Sequence, residues 1–439
     1  MKKYRLLIII IFVFLGMTSS AQKVLSLDEA IANVLDKNFD IKLAKYDSAV
    51  AAIDYSYRNS AFLPQLNGDV GATWNNNNQN ITLNNGTKRT GRGIKSSAIT
   101  SQLALNWTLF DGLKMFATRD KLEKILEVGE IEIRRQMDTT IASVIDNYYN
   151  IVRQKQQLRA IEEQMSIDSE RVRLAQYRLD IGAGAKPDLL QSKIDLNAQK
   201  SAQLQQQSLI GQLREQLNQA MGLPQFSMYD VTDTIIIKRD ISLGDVLNYA
   251  EKSDPSVKIA ATGIDIAKLT LKEAKGDLYP SLSFNSTYNY NRNNNQTVLN
   301  PTSPLFTQTN GLNYGLTASI PILNHFNARR SVRQAKWNIQ YQGLVYDNTK
   351  SVTQLSVINA FQSYEEQKKE LDLEDENILL ARENLDIVLQ MYKLSAATLL
   401  QLKEAQQSLQ DAYNRLIAAR YNAKVSETEL LRLSGQLVK

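Results

Sequence analysis

The 439-residue sequence has no cysteine and a single histidine, His325. Without a thiol there can be no cysteine nucleophile, disulfide, thiolate zinc site, iron–sulfur cluster or lipidated cysteine. One histidine rules out a paired-histidine metal motif, and a Ser-His-Asp triad could be built only on His325. Glycine (19) and proline (8) are scarce, against roughly 7% and 5% of an average chain, which favours long regular elements with few turns. No Gly-rich phosphate loop or localised acid pair on rigid elements stands out, so an enzyme is disfavoured, and no catalytic residue, cofactor or metal is expected.

The charge is nearly balanced, with 51 Lys+Arg against 46 Asp+Glu. Part of the excess sits in a targeting segment: Lys2, Lys3 and Arg5 precede an apolar run from Leu6 to Leu15, and Ser19-Ser20-Ala21 supplies small residues for cleavage between Ala21 and Gln22. The expected signal peptide is 1–21. Its removal lowers the net charge from +5 to about +2, which gives no support for nucleic-acid binding. No later stretch is apolar enough for a transmembrane helix, so membrane insertion would need another route.

What is present is a repeat. Ser26-Leu27-Asp28-Glu29-Ala30-Ile31 aligns with Ser242-Leu243-Gly244-Asp245-Val246-Leu247, and Leu63-Pro64-Gln65-Leu66 with Tyr279-Pro280-Ser281-Leu282, at an offset of 216. Farther on the offset becomes 213, pairing Val144-Ile145 with Val357-Ile358, Tyr148 with Phe361 and Leu158 with Leu371. The expected organisation is a first repeat over 22–224, a linker over 225–240 and a second repeat over 241–439.

Within each copy the apolar period switches. From Lys114 to Leu179, and again from Ala328 to Leu394, apolar residues recur at three- and four-residue steps without a proline, the pattern of a long amphipathic or coiled-coil helix. At 1.5 Å per residue each such helix is roughly 100 Å long. Shorter helices are expected over Asp28–Phe62 and Asp188–Met221. Four segments alternate with period two, giving strands at about 65–75, 100–110, 281–291 and 311–322. Leu66, Val70 and Trp74 face one way in the first, and Leu103, Leu105 and Trp107 in the second. Each runs about ten residues, enough to cross a bilayer when tilted. Asn75 to Asn78 and Asn293 to Asn295 read as long polar connections. A soluble sheet with one buried face would alternate in the same way, but four such strands in an exported chain favour a membrane barrel. Four strands cannot close alone, and open edges in lipid are costly. Membrane strands would therefore require oligomerisation, and three copies would supply about twelve strands.

The residues that carry a family resemblance are Tyr177-Arg178-Leu179-Asp180-Ile181-Gly182, Asp188-Leu189-Leu190-Gln191-Ser192, and Leu217-Asn218-Gln219-Ala220-Met221-Gly222-Leu223-Pro224. The strand-to-helix junction Trp107-Thr108-Leu109-Phe110-Asp111-Gly112 has a second copy in Ile320-Pro321-Ile322-Leu323-Asn324. In this order the sequence resembles the TolC-like outer-membrane efflux and secretion channels over essentially its whole length. The resemblance implies a mainly α fold with a β-barrel part. Long coiled-coil helices would form a trimeric α-helical barrel, and four strands per chain would contribute to a 12-stranded transmembrane β-barrel. It also implies a homotrimer in outer-membrane lipid, extending into the periplasm and docked to a periplasmic adaptor (a membrane fusion protein) and an inner-membrane transporter of the RND, ABC or MFS type. Some members use an N-terminal acylated cysteine as an anchor; its absence here implies that the barrel alone holds the protein in the membrane.

Several site expectations follow from the resemblance. Asp188, Gln401 and Glu404 match the entrance positions at the periplasmic end, where some members carry an acidic, cation-selecting ring. Only one of the two acids of the second turn remains here. The turns containing Arg178, Gly182, Gly184 and Pro187, and Lys393 and Ser395, are the expected adaptor contacts. A helix-end role is an equal reading of Asp188. His325 is expected to be only a junction residue, and the charged run Glu365 to Glu376 a solvated helix face. The functions compatible with the sequence are an efflux exit duct, the exit duct of a type I secretion system, and, in a different class, a periplasmic coiled-coil structural protein.

Overall fold

The computed structural model describes residues 24–232, 234–323, 325–394 and 396–437. The expected signal segment with Ala21 and Gln22 lies outside the described residues, as do Asn324 and Ser395. In chain order the elements are β1 (Val24–Leu25), α1 (Leu27–Lys37), α2 (Phe39–Ser56), a 3₁₀ turn (Ser60–Phe62), β2 (Gln65–Thr82), β3 (Lys88–Phe110), α3 (Lys114–Asp180) and α4 (Lys186–Ala220). The order continues with β4 (Asp230–Val231), α5 (Leu243–Ser253), α6 (Pro255–Gly276), β5 (Ser281–Asn295), β6 (Phe306–Ser319), α7 (Asn327–Lys393) and α8 (Leu399–Leu433).

The described chain falls into two compact units, each assembled from separate stretches of sequence. One takes the segment up to Asp47, Glu130–Ile259 and everything from Asp347; the other takes Ser48–Gly129 and Ala260–Tyr346.

The first unit is helical. Ala30, Val34 and Ile41 pack with Ile141, Val144, Tyr148 and Ile151 of α3 and with Leu217 and Met221 at the end of α4. The Tyr148 hydroxyl donates to the Leu25 carbonyl at 2.8 Å and lies 3.0 Å from Thr232 Oγ1. This anchors the short parallel pair β1·β4, which lies partly in the expected linker. The second copy has its own core of Val246, Ala250, Val357, Tyr364 and Leu430, and there the Tyr364 hydroxyl donates to the Lys238 carbonyl.

The expected helix over Asp28–Phe62 is two helices. Asn38 ends α1, and its Oδ1 accepts the amides of Asp40 at 2.8 Å and Ile41 at 3.1 Å, so its side chain caps α2. Asp254 repeats the device between α5 and α6, accepting from Ser256 and Val257. A short side-chain acceptor offers the backbone an alternative to continuing the helix, which favours a break at these positions.

The second unit holds an antiparallel four-stranded sheet in the order β2-β3-β5-β6. Rows across it run Gly68, Leu103, Tyr288, Leu312 and then Val70, Ser101, Tyr290, Asn310. One face therefore carries the apolar residues of all four strands, and the other carries Asn67, Asp69, Asn106 and Thr108. The apolar face is bare: Val70 is 80% exposed, Trp74 76% and Tyr314 76%. Among the described residues β2 and β6 each pair on one side only. At the helical end of the sheet, Trp107 Nε1 donates to the Phe62 carbonyl at 2.8 Å, and the Phe62 ring meets Phe116 edge-on at 5.0 Å.

Three strand expectations change. β2 and β3 reach 18 and 23 residues rather than about ten. Asn75–Asn78 and Asn293–Asn295 belong to β2 and β5 instead of forming connections. Ladder hydrogen bonds are made by the backbone, so a polar run continues a strand past its apolar band. β6 stops at Ser319, short of residue 322, because Pro321 has no amide to donate.

Candidate functional site

Each long helix ends in a reversal, and the two reversals share one construction. After α3, the Gly182 amide donates to the Leu179 carbonyl at 3.1 Å and the Ala183 amide to Arg178 at 2.9 Å, with Gly182 at φ +71°. This paired pattern around a left-handed glycine is a Schellman ending. Gly184 is needed for a different reason. A Cβ there would lie 3.0 Å from the backbone of Arg178 and Leu179, so the chain folds back against its own helix. Pro187 then occupies the first turn of α4, where a missing amide costs nothing, with Asp188 beside it. Asp188 is exposed, an acid in the first turn, where the helix dipole favours it.

After α7, the Ala396 amide donates to the Met391 carbonyl at 2.8 Å, the same six-residue closure. α8 starts with a capping box: the Gln401 amide donates to Thr398 Oγ1 at 3.3 Å, and Gln401 Oε1 accepts the Thr398 amide at 2.8 Å. Gln401 therefore has a helix-starting task that the sequence reading did not foresee, although Thr-x-x-Gln is the sequence signature of that task. Glu404 lies one turn farther along α8 and is exposed.

The two reversals are tied together. The Arg178 guanidinium stacks over the Tyr392 ring, 4.3 Å from its centroid, and donates to the Tyr392 carbonyl. Lys393 Nζ sits 3.9 Å from Glu170, a longer and exposed contact worth little. Arg178 and Lys393 are thus brought into one assembly of helix ends, while Asp188 and Glu404 are each exposed. Ser395 lies outside the described residues. His325 stands at φ +56° ahead of α7, as Gly112 stands at +72° ahead of α3, which fits a junction residue.

Behind the turns lies a buried polar cluster that the sequence did not reveal. Arg171 of α3 is 2% exposed and contacts Asp195 Oδ2 of α4 at 2.6 Å and Gln406 Oε1 of α8 at 2.7 Å. Asp168 accepts from Gln164 and Gln406, and Lys403 Nζ reaches Asp195 at 3.1 Å. Burial pushes the Asp168 carboxyl up, against the pull of Arg171. At Asp195 burial acts upward too, but hydrogen bonds from Gln191 and Lys403 and the Arg171 charge hold the carboxyl below its ordinary value. A cleft of about 220 Å³ opens onto the cluster, and half of its lining residues are glutamines. The only sequence sign was Asp168 and Arg171 at helical spacing, which equally describes a solvated pair. Among the described residues no group of three or more acids or histidines is arranged to hold a metal.

The pattern of the family described as outer membrane efflux protein matches residues 30–223 and 246–436. The chain is 21% identical over 444 residues to the outer membrane protein TolC of Escherichia coli (strain K12), spanning 97% of this chain and 86% of that protein. It is 22% identical over 355 residues to the outer membrane efflux protein BepC of Brucella suis biovar 1 (strain 1330), spanning 77% of this chain and 72% of that one. The fold is similar to the crystal structure of the CmeC outer membrane channel of Campylobacter jejuni, with a TM-score of 0.76 at 17% identity, covering 93% of this chain and 85% of that chain.

Proposed function

Because the chain belongs to the outer membrane efflux protein family, we propose that it is the outer-membrane exit duct of a tripartite efflux system, passing small molecules delivered by an inner-membrane transporter through a periplasmic adaptor. It works in the outer membrane of a Gram-negative bacterium and extends into the periplasm. The observation that carries this reading is the four-stranded sheet with a bare apolar face and two open edges, β2 and β6.

Unpaired backbone amides and carbonyls in hydrocarbon cost several kcal/mol each, so open edges do not persist in a bilayer. Four strands are also too few to close on themselves. Joining β6 of one protomer to β2 of the next removes both edges at once, and three protomers give a ring of about twelve strands with a lumen. The apolar face then meets lipid and the Asn- and Thr-rich face lines the lumen. The strand ends that continue into helices face the periplasm, and the hairpins face outward. Transport through such a duct is passive. The chain supplies a water-lined path, and the driving force comes from the transporter.

In this assembly the helix reversals form the periplasmic end. Asp188 and Glu404, three copies each, set the charge at the entrance, with Gln401 between them in sequence as a neutral lining group. The turns at Arg178, Gly182, Gly184 and Pro187, and at Lys393 and Ser395, are the contacts for the adaptor. The chain is organised as a signal peptide over 1–21 and repeats over 22–224 and 241–439 joined by 225–240.

The test is reconstitution of the purified full-length protein in planar bilayers, together with unheated and heated gel migration. Stepwise conductance and a heat-sensitive trimer are expected. A monomer that never conducts would remove this reading.

A further inference from the structure

The charged residues of the strand region are distributed very unevenly. Between 65 and 110 and between 281 and 319 the sequence has five cations, Lys88, Arg89, Arg92, Lys95 and Arg292, and one acid, Asp69. All five cations lie in the hairpin half of the sheet. Asp69 lies near the helical end, opposite Gln102 and on the polar face.

Register places Lys95 and Arg292 on the apolar face beside its last aromatic row, and Lys88, opposite Thr82, on the same face farther toward the hairpin. Lys95 is opposite Asn76, continuing the row sequence of Leu103, Ser101, Ile99 and Ser97 on β3. Arg292 is opposite Ile99 on one side and Gln308 on the other. Between their two rows runs a row containing Trp74, Ser97, Asn294 and Phe306. Arg292 and Lys95 therefore bracket an aromatic row on the outward surface, and both are exposed. The Arg292 guanidinium leans toward that row, 5.5 Å from the Phe306 ring centroid. The Lys95 carbonyl accepts the Gln296 amide at 3.0 Å, so its backbone is fixed at the mouth of the following loop. Aromatic residues mark the interface between hydrocarbon and headgroups, and long cationic side chains there extend toward the polar side.

We propose that Lys95 and Arg292 form a binding site for the phosphate groups of outer-leaflet glycolipid, with Ser97 and Asn294 between them as hydrogen-bonding partners and Trp74 and Phe306 against the sugar and upper acyl region. This inference rests on the duct reading, which places the hairpin end at the cell surface. The occupant follows from charge complementarity. The outward surface at this level has two cations and no acid, and the nearest anions in a bilayer leaflet are lipid phosphates. Arg292 suits the role because its planar fork can hold two phosphate oxygens together. Arg89 is otherwise engaged, donating to the Leu299 carbonyl at 3.0 Å.

The test uses the full-length protein purified as its detergent-solubilised oligomer, with binding of diphosphoryl lipid A followed by native mass spectrometry. Dephosphorylated lipid A and inorganic phosphate serve as comparison ligands. Wild type is expected to retain diphosphoryl lipid A in preference to both. Each cation near a lipid surface contributes roughly fivefold, so Lys95→Gln with Arg292→Gln is expected to weaken binding about thirtyfold. Lys95→Arg with Arg292→Lys keeps the charge and is expected to restore most of it. Equal binding by wild type and the glutamine pair would overturn the proposal, as would equal binding of the dephosphorylated lipid or displacement by inorganic phosphate. Conductance of the same preparations separates the two readings. A conducting oligomer indifferent to lipid phosphate loses this site alone, whereas a wild type that neither assembles nor conducts loses the duct.

Discussion

The guanidinium of Arg171 lies 2.6 Å from the Asp195 carboxylate and joins α3 to α4 at a point where its own side chain is 2% exposed. A buried charge pair contributes little compared with an apolar replacement of both members, but breaking one side strands the other. Arg171→Ala is therefore expected to destabilise the helical unit by about 3–5 kcal/mol, measured as a shift in urea midpoint at constant slope. A change below about 1 kcal/mol would mean that water replaces the guanidinium without loss.

Asp138 on α3 provides a pH prediction. Its side chain is buried, and neither carboxylate oxygen accepts a hydrogen bond. Burial raises its pKa from the ordinary 3.8, against the attraction of Arg134 and Arg432 and with a smaller push from Asp254. The folded state thus holds this proton more tightly than the unfolded state. Its contribution is favourable at low pH and is lost as pH rises from about 3.8 through the elevated folded value. Asp138→Asn should flatten that part of the stability profile and gain about 1 kcal/mol at neutral pH. Thermal unfolding of both proteins across pH 4 to 7 would reveal it, and parallel profiles would refute it.

Two glycines with nearly the same backbone angle should respond differently to alanine. Gly112 has φ +72°, and a Cβ there would stand 2.3 Å from the Gly276 carbonyl oxygen. Gly182 has φ +71° with nothing within 4 Å. Gly182→Ala should cost only the left-handed penalty, about 1 kcal/mol, whereas Gly112→Ala must also displace backbone and should cost clearly more. Calorimetric melting of the two variants decides this.

Gln401 and Glu404 allow a test of the entrance that leaves the fold unchanged. The third helical position of a capping box accepts Glu as readily as Gln, so Gln401→Glu should preserve the start of α8 and, in the proposed trimer, add three carboxylates at the proposed entrance. Reversal potentials in a salt gradient should move toward stronger cation preference, and Glu404→Gln should move them the other way. Selectivity unchanged in both variants would remove these residues from the entrance.

Much of the architecture could be read from periodicity. The helical pattern expected over 114–179 and 328–394 falls in helices Lys114–Asp180 and Asn327–Lys393, with Leu394 alone one residue past the end, because a three-and-four step sustained without proline has no other regular solution. Strand existence was equally clear from Leu66 to Trp74, but strand length was not. Asn75–Asn78 carries no alternation, and the ladder that extends it is visible only in the pairing with β3. The break at Asn38 was missed because apolar spacing continues across it and only the side-chain cap reveals the change. The Arg171 cluster was hidden for a related reason. Arg171 and its partner Gln406 are 235 residues apart, and single charged residues on a helix look alike whether they meet water or one another.

The two copies of the repeat also differ in a way that constrains how the chain can change length. α3 and α7 both have 67 residues, and α4 and α8 both have 35. The strands differ, at 18 and 23 residues against 15 and 14. One extra residue in a helix turns everything beyond it by about 100° and carries each apolar side chain off its partner. An extra pair in a hairpin only lengthens the ladder. Insertions and deletions are thus tolerated at Gly86 or in the loop around Asn300 and rejected in the middle of α3, so a peptide tag meant to leave assembly intact belongs in the hairpins.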